Sequence, residues 1–266
     1  MVMPIAAERT SIPDAPMLAA VKRFGKYKDE KENAVRSVQV EKDETLERIM
    51  GAWARYRFDY PYNFPIFEMY EDALKALRGE SCSSDDVERF SVMMAAFQGE
   101  RHFPAKAGIF LSALINTASG DGFRIHMEIL SEPIAWLGVL NTKNISTIGH
   151  PADSERHCLG QWGGRYHSVG FHASAGTIFI EGGADEVGDS MSGGTIIVNG
   201  PACSQIGYKM KGGTIGIFGD VDGRISEIAE GMTGGEIRIY GNLDEGALEG
   251  PIHGKIYHKG KLIVDK

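Results

Sequence analysis

The sequence predicts a mixed α and β protein in which a mainly helical region, residues 1–120, precedes a right-handed parallel β-helix of about five recognisable coils in residues 121–266. Three observations carry this reading. Glycine is concentrated late, with 22 of the 34 glycines at or after Gly170. There the glycines bracket short apolar segments: Gly176-Thr-Ile-Phe-Ile-Glu-Gly182, Gly194-Thr-Ile-Ile-Val-Asn-Gly200, Gly213-Thr-Ile-Gly-Ile-Phe-Gly219, Gly235-Glu-Ile-Arg-Ile-Tyr-Gly241 and a fainter Gly254-Lys-Ile-Tyr-His-Lys-Gly260. Their start points advance by 18, 19, 22 and 19 residues, and Met191, Met210 and Met232 each fall three residues before the next opening glycine.

Within each segment the apolar residues stand two apart, as in Ile178 and Ile180 or Ile237 and Ile239, which is strand periodicity with one buried face. A strand this short cannot bury that face alone. Stacked copies can, at ~4.8 Å between neighbours, and this favours a solenoid. Hairpins would call for two-residue turns and alternating strand direction, whereas the links here are long and carry glycines at their corners.

The phased pattern of strand followed by G-x-x-M-x-G-G resembles the glycine-repeat (GXGXG) domain at the C-terminal end of the glutamate synthase large subunit, and the related β-helix polypeptide of formylmethanofuran dehydrogenase. It rests on GDSMSGGTIIVNG from Gly188, GYKMKGGTIGIFG from Gly207 and GMTGGEIRIYG from Gly231, with His167-Ser-Val-Gly-Phe171 similar to the family's lead-in. The likeness covers about Arg165 to Lys266. This sequence departs from the pattern at an insertion around Arg224 to Ala229, with Ala229 where a glycine is expected, and at Pro251-Ile-His253. The last coil is therefore expected to be a degenerate cap, and the charged ending from Lys255 to Lys266 suits that role.

The first half lacks the repeat. Residues 1–40 mix charges of both signs, and a short helix followed by a mobile stretch is expected there. Helices are predicted over Glu44–Arg57, Ile66–Leu77 and Asp85–Phe97, the last capped by Ser83 or Ser84 with acids in its first turn. Gly79 and Gly99 stop the second and third. The aromatic run from Tyr56 to Phe67 is read as packing between helices. Lys106–Ala118 is apolar enough for a buried helix. Phe123–Ile129 alternates as a strand with Phe123, Ile125, Met127 and Ile129 on one face, where the first coil begins. From Asn141 to Tyr166 no period is evident.

A formal charge of -8 and a pI near 5.5 remove the electrostatic footprint of nucleic-acid or anionic-membrane binding. No stretch approaches the ~20 apolar residues of a membrane span, so the chain is read as soluble and cytoplasmic. Its cysteines, Cys82, Cys158 and Cys203, are odd in number, widely spaced and expected to be reduced.

Candidate chemistry is sparse. His150, His157, Cys158, His167 and His172 gather five ligand types, yet their spacing fits no familiar zinc motif. His102 and His126 have no partner legible in sequence. Cys203 and Ser204 lack a nucleophile elbow, and the glycines precede strands where a phosphate loop would need a helix. Asp185, Asp189, Asp220, Asp222 and Asp244 do not form a calcium repeat and read as solvated corners. No catalytic, cofactor-binding or metal residue is assigned, and no cofactor is expected.

The resemblance implies a scaffold: in the similar enzymes the glycine-repeat β-helix packs against catalytic domains and carries no cofactor. The expectation is a non-catalytic scaffold or accessory subunit of such an oxidoreductase complex, docking a catalytic protein partner through its helical half. Two alternatives stand beside it. One is an enzyme with a pocket at the junction of helices and coils that uses the His150 to His172 cluster, and the other is a homo-oligomeric structural protein.

Overall fold

Asp43 opens the first helix by accepting the backbone N–H of Leu46 on its carboxylate, in a computed structural model that describes residues 43–58, 65–149, 166–222, 228–243, 248 and 252–266. Four helices follow one another: α1 over Glu44–Arg55, α2 over Ile66–Ala76, α3 over Ser84–Met93 and α4 over Phe103–Thr117, with a 3-10 turn at Met94–Phe97. Ser83 caps α3 in a reciprocal box with Asp86. Each of the first three helices buries one stripe. Trp53 of α1 lies against Phe90 of α3 and edge-on to Phe110 of α4. Helix α4 begins three residues before the expected Lys106, because His102 takes a left-handed conformation and Pro104 fits the first turn. It is buried on nearly all sides, as an apolar helix without a polar face must be.

The solenoid is built on two sheets. Strands β1 (Gly122–His126), β2 (Asn144–Ile148), β4 (Thr177–Glu181), β6 (Thr195–Asn199), β8 (Thr214–Ile217), β10 (Glu236–Ile239) and β11 (Lys255–His258) lie side by side, all parallel, and β12 (Lys261–Asp265) closes the sheet antiparallel to β11. A second sheet of two-residue strands, β3 (Tyr166–His167), β5 (Ala184–Asp185), β7 (Ala202–Cys203) and β9 (Val221–Asp222), runs through the links. Together they make a β-solenoid of about six turns. The five segments predicted from the repeat all form strands at their expected places. Ile178, Ile196, Ile215 and Ile237 stand opposite one another along the ladder, as do Ile180, Val198, Ile217 and Ile239, and all eight are buried.

The corner glycines make room for that column. At Gly188 and Gly207 a Cβ would sit 2.6 Å from Ile215 Cδ1 and 2.7 Å from Ile237 Cδ1, and both residues have positive φ. Ala229 occupies the equivalent corner with φ of 58°, a left-handed alanine where the repeat has glycine.

Two expectations need correction, and one stretch without a prediction acquires a strand. The strand predicted over Phe123–Ile129 ends at His126. Leu130 N–H bonds back to Met127 O in a turn, so Ile129 faces solvent while Leu130 is buried. After Asn141, where no period is evident in the sequence, β2 forms with Ile145 and Thr147 inward. Its core threonine hid the period. Cys203 is disulfide-bonded, against the expectation of a reduced thiol, while Cys82 is free as expected. The helix expected within residues 1–40 and residues 224–227 of the insertion lie outside the described residues.

Helices and coils share one apolar core. Gly108 of α4 approaches so closely that a Cβ there would fall 1.8 Å from Ala135 O. One turn on, Ser112 Oγ accepts the backbone N–H of Gly138 at 2.8 Å and of Val139 at 3.2 Å, and donates to Gly108 O. The first corner of the solenoid is thereby fastened to the helix.

Candidate functional site

Two surfaces combine exposure with the residue types that recognition uses. The first lies where α2 meets the coils. Trp136 and His172 occupy left-handed corner positions, φ 66° and 55°. Phe171 packs edge-on to Trp136 at 5.5 Å and contacts His172 at 4.5 Å. Phe67 of α2 reaches over to both Phe171 and His172, at 5.7 and 5.0 Å between ring centroids, yet remains 48% exposed. The aromatic run read as core is therefore divided: Tyr56 is buried and Phe67 is a surface residue, while Tyr60, Tyr62 and Phe64 lie outside the described residues.

Asp189, one coil beyond His172, accepts the Ser190 hydroxyl at 2.7 Å. Burial pushes the Asp189 carboxyl above its usual range and holds the His172 imidazole below its own. Both shifts are toward the neutral form. Tyr208 and Lys209 extend this corner, the Lys209 ammonium lying 4.6 Å from the Tyr208 ring centre.

The second surface is the outer face of the large sheet. Strand alternation that sends the isoleucine columns inward sends Phe179 and Ile197 outward. Beyond the strand ends, Phe218 and Tyr240 on neighbouring coils stack at 4.5 Å with 17° between their planes, and they are 51% and 44% exposed. Arg238 lies over Tyr257 at 4.6 Å and pairs with Glu236.

The histidine constellation is only partly assembled among the described residues. His150, His157 and Cys158 lie outside them. His167 stands on β3 with Nδ1 3.7 Å from Asp185 Oδ2, and His172 sits in the aromatic rim. Among the described residues no group of three or more His, Cys, Asp or Glu is placed to hold a metal ion. Cys203 is buried and disulfide-bonded, so its sulfur carries no free thiolate for attack. Of the link acids, Asp220 is exposed and accepts the Asn242 N–H, whereas Asp185 and Asp189 are drawn into the corners and Asp244 lies outside the described residues.

Sequence reasoning missed one constellation. His126 of β1 meets Glu88 of α3 through Nε2 and Glu128 through Nδ1, at 3.1 and 2.7 Å. Arg124 also pairs with Glu88, at 2.8 Å. Glu88 lies 38 residues from His126, so only the packing of α3 on the first coil brings them together. No protein-family model, no curated protein and no solved structure matches the chain.

Proposed function

We propose that this chain is a non-catalytic scaffold or accessory subunit of a cytoplasmic oxidoreductase complex of the glutamate-synthase or formylmethanofuran-dehydrogenase kind, and that it docks a catalytic protein partner. The resemblance of the glycine repeat supplies the kind of complex. The observation that carries the docking role is Phe67, a large aromatic left 48% exposed on the helical half beside an ordered aromatic rim. The solenoid contributes a rigid frame, because each buried column is locked between close-packed neighbours. Among the described residues no helix is long and apolar enough to cross a membrane.

Affinity purification of the tagged full chain from native extract tests the proposal. The expected result is co-purification of a protein bearing a glutamate-synthase-like or formylmethanofuran-dehydrogenase-like catalytic domain. Phe67→Asp should abolish its recovery. Loss with Phe218→Asp alone would move the contact to the coils. Recovery of no such protein would overturn the proposal.

A further inference from the structure

Three side chains of metal-binding type stand in one column on the second sheet. Strands β3, β5 and β7 pair in parallel register, with His167 opposite Asp185 and Asp185 opposite Cys203. Ala184 and Ala202 beside them are buried in the coils, so alternation turns Asp185 and Cys203 to the opposite face. The Asp185 carboxylate lies between its neighbours. Its Oδ2 stands 3.7 Å from His167 Nδ1 and its Oδ1 stands 2.7 Å from Cys203 Sγ. Imidazole, carboxylate and sulfur from three successive coils thus converge in a column that leads from the part-exposed His167 to the buried Cys203.

In the disulfide form, no group of three or more His, Cys, Asp or Glu among the described residues is placed to hold a metal ion. Reduction changes the donor set. A disulfide sulfur is a poor ligand. A thiolate beside an imidazole and a carboxylate makes the mixed N, O and S set that zinc accepts, with water in the fourth tetrahedral position. Around tetrahedral zinc, with bonds of ~2.0–2.3 Å, neighbouring donor atoms lie roughly 3.3–3.6 Å apart. The observed 3.7 and 2.7 Å differ from that by under about 1 Å, which side-chain rotation can supply. One thiolate and one carboxylate also balance the double positive charge of the ion, as a covered site requires.

We propose that His167, Asp185 and Cys203 form a redox-gated zinc site, incomplete while Cys203 is held in its disulfide and completed by reduction. A dithiol reductant passes two electrons and two protons to the disulfide, leaves both sulfurs as thiols and is itself oxidised to a disulfide. Zinc then takes the Cys203 sulfur as thiolate, and the thiol proton passes to solvent. An oxidised dithiol reverses both steps and expels the metal.

Zinc titration of the full chain tests this, with the protein stripped of metal and compared with its disulfide intact and after reduction. The reduced chain should bind one zinc, and the oxidised chain none at the same concentrations. Cobalt(II) in place of zinc should give the intense visible bands of a tetrahedral site and a thiolate-to-cobalt charge-transfer band in the near ultraviolet. Cys203→Ser should abolish the charge-transfer band. His167→Ala and Asp185→Asn should each weaken zinc by at least the roughly 10–100-fold that loss of an outer partner costs. Cys82 is free in both states, so the difference between them does not come from it. Comparing oxidised with reduced wild type needs no variant, and unchanged circular dichroism would confirm that the variants are folded. A reduced chain that takes up no zinc would overturn the proposal. So would uptake equal in both states, or uptake indifferent to Cys203→Ser or to His167→Ala and Asp185→Asn together.

Discussion

Glu88 Oε1 of α3 and Nε2 of His126 on β1 stand 3.1 Å apart while the other ring nitrogen of His126 stands 2.7 Å from Glu128. A neutral imidazole has a single N–H and can donate to only one of these carboxylates; the imidazolium donates to both. The bond to Glu128, joined by the bond to Glu88 and the two negative charges, raises the His126 pKa above its ordinary value. Burial works to raise the Glu128 carboxyl, and its bonds to His126 and to backbone N–H groups outweigh that and lower it.

The sign of the pH dependence follows from the raised folded-state value. The His126 contribution is complete below the ordinary imidazole pKa of about 6.5 and disappears as pH rises through the folded value. The thermal midpoint should therefore fall across that interval. His126→Gln, which cannot be protonated, should flatten this alkaline fall, and thermal denaturation of both proteins over a pH series checks it.

His172 acts in the opposite direction. Burial holds its imidazole below the ordinary value, so its contribution is complete above about 6.5 and is lost as pH falls through the folded value. His172→Phe keeps a ring in the rim beside Phe67 and Phe171 and should remove this acid-side loss. The same pH series, read below neutrality, separates the two histidines.

Ile215 lies in the middle of the inner column with Ile196 on one side and Ile237 on the other. Ile215→Ala should destabilise the protein by ~2–5 kcal/mol, because ladder bonds on both sides keep the coils from closing the cavity. Denaturant unfolding measures this, and an unchanged midpoint would contradict the stacked column.

Ala229 and Gly207 should respond in opposite senses to exchange. Ala229→Gly relieves a left-handed alanine at a cost of glycine chain entropy, and a gain of up to about 1 kcal/mol is expected. Gly207→Ala places a methyl 2.7 Å from Ile237 Cδ1 at positive φ and should cost about 1–3 kcal/mol. Thermal midpoints of the two variants check both signs.

The strands from Thr177 onward were legible because their apolar residues alternate and their glycines keep phase. The turns that position those strands were legible only as glycine. The left-handed conformations of His172, Ser190 and Lys209, three residues of different chemistry in equivalent corners, carry no common signal in sequence. Strand β2 was hidden because Thr147 holds a core position filled elsewhere by Ile or Val, with its hydroxyl accepting the Glu181 N–H. Neither surface patch was legible. Phe67 reads as helix core by type, and Phe218 and Tyr240 become neighbours only when two coils stack.

Helix α4, which lays its bare Gly108 backbone and its Ser112 hydroxyl on the first corner, gives the array a fixed origin. The hairpin of β11 and β12 gives it a fixed terminus. Between them the coils repeat the same corner and the same column, so a whole coil can be removed or duplicated without redesigning either end. The distance from the helical half to the β12 edge is thus an adjustable length, set by coil number in steps of one strand spacing, about 4.8 Å.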